Sequence, residues 1–219
     1  MARAGKICIT VLVLISLLSL FAPLISEYDP NGIDLDSLRE PPGSEHLFGT
    51  DSKGRDIFTR ILYGGRISLS IAVAAAFLSL SIGLILGLCS GYFGGGVDMF
   101  LMAVVDLVLS FPALLLAIGI TILFPSGIYT VVIAIVAVGW ASFARIIRGQ
   151  VLTLKEAEFI DSARSVGCSH LRILFRHLLP QCIPVILVMT GLKMGSYILT
   201  ESALLVQDSP KDRAIRLIR

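Results

Sequence analysis

Long apolar runs alternate with short polar stretches along most of this chain. Five runs are long enough to cross a hydrocarbon core about 30 Å thick. They cover residues 7–25, 68–90, 99–123, 128–147 and 182–204. Between Ser68 and Ile147 the only charged residues are Asp98, Asp106 and Arg145. The pattern predicts an all-α polytopic membrane protein with five spans.

Composition agrees with this prediction. Charged residues make up 16% of the chain, whereas soluble domains carry about 25%. The first apolar run follows Arg3 and Lys6, as a cleaved signal peptide would. It is longer than the roughly 7–15-residue apolar region of a signal peptide, and no small-residue cleavage site follows it. We therefore expect residues 1–25 to be an uncleaved transmembrane anchor.

Loop charges predict the orientation of the spans, because cytoplasmic loops are enriched in lysine and arginine. Residues 26–66 hold eight acidic and five basic residues. The amino terminus and residues 145–181 are basic, through Arg3, Lys6, Arg145, Arg148, Lys155, Arg164, Arg172 and Arg176. We expect those two regions and residues 91–98 inside, and residues 26–66 and 124–127 outside.

Residues that could support catalysis or metal binding do not form known motifs in this chain. It has no G-x-x-x-x-G-K-[ST] phosphate-binding loop. Neither the histidines nor the cysteines have metal-ligand spacing; they are His46, His170, His177, Cys8, Cys89, Cys168 and Cys182. The sequence predicts a chain that is not an enzyme and binds no metal or cofactor itself.

Three ionisable residues fall inside predicted spans, where a charge costs about 2.5–3.5 kcal/mol on insertion scales. At 1.5 Å per residue, Asp106 lies about 12 Å past Asp98, and Lys193 about 16 Å past Cys182. These similar depths predict an intramembrane pair of Asp106 and Lys193. The alternative is that each faces a wet path alone or reaches towards the interface. Glu201, nearer the outer interface, is expected to be hydrated.

The basic loop that precedes the last run predicts two short helices. The first should gather apolar and small residues on one face, namely Leu152, Phe159, Ala163 and Val166. Gly167 suits a left-handed cap, and Ser169 can cap the second helix. The apolar positions of that second helix are Leu171, Leu174 and Leu178. Pro180 should end it. Such a pair, with an exposed small-residue shoulder, suits docking into another protein; the alternative is a connector without a partner.

The same loop resembles the E-A-A…G…L-P loop of bacterial ABC importer permeases. Asp161-Ser162-Ala163 stands at the E-A-A position, and Gly167 follows four residues after Ala163. Glu158 precedes the triplet and Leu179-Pro180 closes the motif. Asp and Ser depart from the first two letters of the triplet, but both keep size and helix compatibility.

A second resemblance lies in residues 46–60, the signature segment. Its order is similar to the H-x-x-G-T-D-x-x-G-R-D-x-x-S-R pattern of C-type permease subunits in dipeptide, oligopeptide and nickel importers. The matching residues are His46, Gly49, Thr50, Asp51, Gly54, Arg55, Asp56 and Arg60. Read alone, they form a turn-rich segment in which arginines pair with acids. It could stiffen the outer mouth or contact a substrate-binding protein.

The resemblance implies a type-1 ABC importer transmembrane fold over residues 67–204, with a coupling loop at 148–181. It also implies a subunit of a peptide importer in the bacterial inner membrane. The implied partners are a second permease subunit in a heterodimer, two ATP-binding subunits that hold ATP and magnesium, and an extracytoplasmic substrate-binding protein. The alternatives are nickel-complex import within the family, a secondary transporter or channel, and a non-functional truncated permease.

The carboxyl end departs from the family. The resemblance would continue Glu201–Leu204 with a S-F-L-G-L-G run, an outer loop and a sixth span. Residues 205–219 instead form a basic tail, which five alternating spans would place outside, against the charge rule. We therefore expect a frameshift or truncation, with the sixth span missing.

Overall fold

A computed structural model describes residues 2–125 and 127–207. Within these ranges no strand forms, and Thr50 and Asp56 make one isolated bridge. The all-α prediction is therefore confirmed. The helices are α1 Ala2–Leu20, α2 Ala22–Ile25, α3 Ile57–Phe93, α4 Gly95–Ser110, α5 Ala113–Leu123, α6 Ile128–Leu154, α7 Glu158–Ser165, α8 His170–Arg172, a π-helical segment Ile173–Leu178, and α9 Leu179–Gln207.

Three helices in the described ranges are long and apolar enough to cross a membrane, namely Ile57–Phe93, Ile128–Leu154 and the continuous helix His170–Leu205. The predicted third run is not straight. Its two halves, α4 and α5, bend by 88° at Phe111 and Pro112, because proline disfavours helical geometry in the residue before it. Counting that pair as one span makes four.

The first and second predicted runs also differ from the structure. The apolar helix in the first run, Gly5–Leu20, is shorter than the spanning helices, and a break at Phe21 separates it from α2. Helix α3 begins at Ile57, ahead of the predicted span at 68. The helix begins earlier than predicted because Asp56 caps it at that point. Its first turns therefore contain polar residues such as Arg60. The predicted tail at 205–219 begins inside a helix, because residues 205–207 belong to α9; residues 208–219 lie outside the described residues.

The chain divides into two compact units, Met1–Ser70 and Ile71–Arg219. In the first unit, the end of α2 is tied to the start of α3, because the Ser26 and Thr59 hydroxyls lie 2.5 Å apart. Gly65 allows a second close approach in this unit, between α3 and α1. A Cβ at Gly65 would come within 2.5 Å of the Ser19 hydroxyl.

In the second unit, α3 and α6 pack with their backbones in close contact. Three glycines spaced by four residues, Gly83, Gly87 and Gly91, face α6. A Cβ added at Gly83 or Gly87 would lie 2.7 Å from a carbonyl oxygen of α6, that of Trp140 or Ala144 respectively. Small residues at this spacing are typical of membrane helix interfaces, where close approach maximises van der Waals contact.

Candidate functional site

Helix α7 forms the first half of the coupling loop. Glu158 and Asp161 lie in its first turn and Arg164 in its last, an order that complements the helix dipole. The predicted gathering of Phe159, Ala163 and Val166 on one face is wrong. Phe159 and Val166 are exposed, whereas Ile160 and Ala163 are buried. The Ala163 methyl therefore packs against the rest of this chain and is not an exposed shoulder.

The end of α7 has the predicted left-handed glycine. Gly167 has φ +81°, and its N–H donates to the Arg164 carbonyl at 2.9 Å. The Cys168 N–H donates to the Ala163 carbonyl at 3.0 Å. These two bonds define a Schellman motif. No described atom lies within 4 Å of a Cβ built on Gly167, so backbone conformation, and not space within this chain, requires glycine here.

The second half of the loop differs from its prediction in two ways. Ser169 stands before α8 in extended geometry, but its side chain makes no capping hydrogen bond. Pro180 does not end the helix, which runs on as His170–Leu205. The Leu179 N–H donates to the Leu174 carbonyl five residues back. This wider π turn changes the backbone pairing just before Pro180, so the helix passes a residue that lacks an N–H.

Buried contacts hold both halves of the loop to α3 and α6. Ile160 and Ala163 of α7 share one apolar cluster with Leu174 of the π segment, and with Leu88 and Val151. This cluster fixes the position of the loop relative to two membrane-spanning helices. Sequence reasoning could not find it, because contacts between distant segments leave no local pattern.

Tyr92, at the end of α3, contacts both halves of the loop. Its hydroxyl lies 2.8 Å from His170 Nδ1, and the Arg164 guanidinium carbon lies 5.9 Å from the centre of its ring. A cation over an aromatic face is attracted to it. Tyr92 is thus a contact residue that the sequence analysis did not single out.

Large apolar side chains remain exposed on the coupling loop. We call the exposed set the loop surface; it comprises Phe159, Val166, Leu171 and Phe175. Exposed Glu158, Asp161 and Ser162 lie beside it. Large apolar side chains exposed outside the membrane spans are one feature of protein–protein contacts. In the described ranges, no group of three or more metal-ligating side chains comes together.

In the signature segment, His46 and Asp56 meet below the surface. His46 Nδ1 lies 3.0 Å from Asp56 Oδ1, and both residues are buried. The Thr59 N–H and hydroxyl donate to Asp56 Oδ2 at 2.7 and 2.6 Å, so Asp56 caps α3. Burial raises the pKa of the Asp56 carboxyl, but the bonds from Thr59 and His46 lower it below its usual value overall.

Asp51 is the charged centre of the same segment. Its carboxylate accepts a hydrogen bond from Arg55 Nε at 2.8 Å, and Arg60 lies 3.5 Å away. The Lys53 backbone N–H also donates to it, at 2.8 Å. The hydrogen bond from Arg55 holds the pKa of Asp51 well below its usual range. The expectation that Arg55 or Arg60 pairs with an acid of this segment is confirmed, since both arginines lie within 4.0 Å of Asp51.

Gly49, Gly54 and Thr50 of the signature segment fix its backbone conformation. Gly49 and Gly54 have φ values of +72° and +75°. The Thr50 hydroxyl donates to the Ser37 carbonyl at 2.5 Å and accepts from the Glu40 N–H at 2.8 Å. The signature residues thus fix the backbone conformation of residues 34–60.

The predicted pair of Asp106 and Lys193 is wrong. Asp106 forms an ion pair with Arg145 of α6, whereas Lys193 of α9 lines a cavity and forms no ion pair with Asp106. Sequence spacing gives depth along a helix but not which neighbour the side chain faces. Glu201 also differs from its prediction, since it is buried and not hydrated.

A second ion pair joins α4 to α6. Arg148 Nε and its terminal nitrogen donate to the two Asp98 oxygens at 2.5 and 2.6 Å. The Ser90 hydroxyl also donates to Asp98, at 2.5 Å. A bidentate arginine–carboxylate pair fixes geometry more strongly than a single contact. It joins the start of α4 to the last turns of α6.

Two family descriptions match the chain. Residues 79–207 match the binding-protein-dependent transport system inner membrane component, and residues 3–42 match the N-terminal transmembrane domain of oligopeptide transport permease C. A crystal structure of an amino acid ABC transporter with histidines shares the fold. Its TM-score is 0.51 at 18% identity, over 69% of this chain and 73% of that chain.

Curated relatives cover nearly the whole chain. The oligopeptide transport system permease protein OppC of Bacillus subtilis is 42% identical over 92% of this chain and 66% of its own length. The glutathione transport system permease protein GsiD of Pectobacterium atrosepticum is 41% identical over 89% and 64%. A putative peptide transport system permease protein of Brucella suis is 39% identical over 92% and 68%. The chain thus spans about two thirds of the length of these relatives. Together, these matches and the apolar helices show that the chain is a multi-pass member of the binding-protein-dependent transport system inner membrane component family.

Proposed function

We propose that this chain is a permease subunit of an ATP-driven importer of di- and oligopeptides. The observation that carries the proposal is the 42% identity to an oligopeptide permease over 92% of the chain. Two further relatives have glutathione transport and peptide transport in their names. The fold supports the same role, since several long apolar helices surround a packed interior.

The proposed assembly contains four kinds of subunit. This chain pairs with a second permease subunit. Two further subunits bind ATP and magnesium, and this chain binds neither. An extracytoplasmic binding protein delivers the solute, in keeping with the family description. The signature segment stiffens the outer mouth of the path. Its buried His46 and Asp56 support that role over direct contact with the binding protein.

In this proposal the loop surface docks onto an ATP-binding subunit. Val166 is 84% exposed at the tip of the loop, and Leu171 is 67% exposed in the second half. Burying such side chains against a partner is favourable at about 25 cal/mol per Å² of apolar area. The buried cluster below the loop then transmits movement of the partner to α3 and α6.

The test is Val166→Asp in the complex reconstituted with its partner subunits. A carboxylate at the centre of an apolar contact is costly to desolvate, so peptide-stimulated ATP hydrolysis should fall by roughly tenfold, which is about 1.4 kcal/mol. Membrane insertion should stay normal, because Val166 has little contact with its own chain. The measurement is ATP hydrolysis and tripeptide uptake in proteoliposomes.

Leu35→Asp is the matched control, since Leu35 is 73% exposed in the first unit. It introduces the same charge at a similar exposed position and should leave coupling unchanged. Wild-type coupling in Val166→Asp would show that the loop surface is not the docking site. Uptake of nickel complexes but not peptides by the wild-type complex would overturn the proposed substrate class.

A further inference from the structure

A cavity of about 80 Å³ lies among α4, α5, α6 and α9 in the second unit. Since a cavity of roughly 10–15 Å³ by the same measure already admits one water molecule, this cavity has room for a small polar group. Most of its wall is apolar. Its lining residues include Leu109, Ala117, Val138, Ser142, Lys193 and Tyr197.

Two polar side chains of α9 distinguish this cavity. Lys193 and Tyr197 are four residues apart, so they lie on the same face of the helix. Tyr197 is only 5% exposed, and its hydroxyl lies beside that of Ser79 against Gly139, but neither hydroxyl makes a well-formed hydrogen bond among the described residues. A buried polar group without a partner is uncommon and points to a ligand.

A glycine on α6 makes room for that hydroxyl. A Cβ at Gly139 would come within 2.2 Å of the Tyr197 oxygen. Gly139 also lines the cavity, together with Ser142. The cavity wall therefore combines a cation and hydroxyl donors in an otherwise apolar setting, which is the usual composition of a small-molecule site.

The positive charge of Lys193 is not matched nearby. In the part of the chain that the structure describes, no carboxylate lies within 4.0 Å of its ammonium group. Asp106 is paired with Arg145, and Glu201 stands eight residues further along α9, about 12 Å away at 1.5 Å per residue. A cation in a low-dielectric setting attracts an anion strongly and repels a bare metal dication.

We propose that this cavity is a subsite for a carboxylate group of the transported solute. The Lys193 ammonium group forms an ion pair with the carboxylate, and the Tyr197 hydroxyl donates a second bond. The inference rests on the proposed function and deepens it. The site selects solutes that carry a free carboxylate, such as a peptide with an unmodified carboxyl terminus, and disfavours bare divalent cations.

The first arm of the test compares trialanine with trialanine amide as transported solutes. Both are supplied to the reconstituted complex in proteoliposomes of neutral lipid. The wild type should prefer the acid, and Lys193→Gln should lower acid uptake by roughly tenfold while leaving amide uptake unchanged, since only the acid uses the charge. Lys193→Arg should keep the preference. Because the binding protein is the same throughout, a change in the acid-to-amide ratio reports on Lys193.

The second arm measures binding without transport. The full chain is placed in nanodiscs of neutral lipid and titrated with the same two tripeptides, with fluorescence of Trp140, the chain's only tryptophan, as the signal. The acid should bind roughly tenfold more tightly than the amide in the wild type, but not in Lys193→Gln. Lys155→Gln is the control, because Lys155 lies at the end of α6 and does not line the cavity.

The two arms separate the inference from the proposed function. Acid-selective binding without tripeptide uptake would overturn the importer proposal and support the subsite. An acid-to-amide ratio that Lys193→Gln leaves unchanged in both arms would overturn the subsite. Equal loss of acid and amide uptake, together with poor assembly, would also overturn it, since Lys193 would then be pairing with a subunit and not with the solute.

Discussion

At the residue scale, the backbone conformation of the signature segment depends on the absence of a side chain at Gly54. Its φ of +75° is one that side-chain-bearing residues seldom adopt. A Cβ there would also lie 1.6 Å from the Asp34 carbonyl oxygen, closer than any van der Waals contact. The neighbouring backbone would therefore have to move to admit even a methyl group.

We predict that Gly54→Ala loosens residues 34–56 by about 1–3 kcal/mol of local stability, the usual range for a strained backbone position. Amide hydrogen exchange of the Thr50 and Asp51 N–H groups should speed up, since their bonds to Glu40 and Arg55 would be disturbed. Gly43→Ala is the control in the same segment, where the nearest atom to an added Cβ is 3.9 Å away. Equal exchange in the two variants would contradict the role given to Gly54.

At the element scale, the end of α7 depends on the left-handed Gly167 and its Schellman motif. We predict that Gly167→Ala destabilises this end by about 1–2 kcal/mol, whereas Gly167→Asn is milder, because asparagine tolerates left-handed geometry. Amide exchange of Gly167 and Cys168 measures the motif directly, and peptide-stimulated ATP hydrolysis measures its effect on coupling.

The order of the two variants separates two explanations for this glycine. Close approach of a partner predicts that asparagine, the larger side chain, is worse than alanine. Backbone conformation predicts the reverse. If Gly167→Asn uncouples the complex more than Gly167→Ala while the motif stays protected from exchange, close contact with the ATP-binding subunit is the dominant requirement.

At the scale of the whole molecule, orientation across the membrane remains a prediction from loop charge. A cysteine at Ser52, in a chain whose natural cysteines are replaced, should react with a membrane-impermeant thiol reagent in intact spheroplasts. The signature segment is on the outside in the predicted topology, and Ser52 is exposed. Mass shift of the purified chain gives the labelled fraction.

A chain that keeps only Cys168 is the matched control for the opposite side. It lies just after Gly167 in the coupling loop, and the predicted topology places it inside. It should be labelled only after permeabilisation. The reverse pattern for the two cysteines would invert the topology of the chain.

Across the whole molecule, the sequence predicted the positions of the helices better than the contacts between them. Apolar runs became helices because helix length and hydropathy are local properties. The bend between α4 and α5 was missed, although Pro112 marks it, because apolar character continues through the break. Pro180 was wrongly predicted to end the helix. The π turn before it depends on a backbone hydrogen bond between residues five apart, and the spacing of apolar residues does not indicate such a bond.

For the candidate site too, local features could be predicted from the sequence and contacts between distant segments could not. Gly167 was predictable because a left-handed cap depends on neighbours in sequence. The burial of Ala163, the pairing of Asp106 with Arg145 and the contacts of Tyr92 were not, because each depends on which distant helix lies opposite. Depth along a helix can be counted from the sequence, but the direction of a side chain around the axis relative to its neighbours cannot.

The continuous helix His170–Leu205 contains both Lys193 and two residues of the loop surface, Leu171 and Phe175. Leu171 and Lys193 are 22 residues apart, about 33 Å along a helix at 1.5 Å per residue. The π segment and Pro184 both lie between them, and such sites are where helices flex. In the proposed function, a displacement of the coupling loop would pass along this helix to the cavity, through two sites at which the helix can bend. The stiffness of the helix at those two sites would then determine how far Lys193 moves when the loop is displaced.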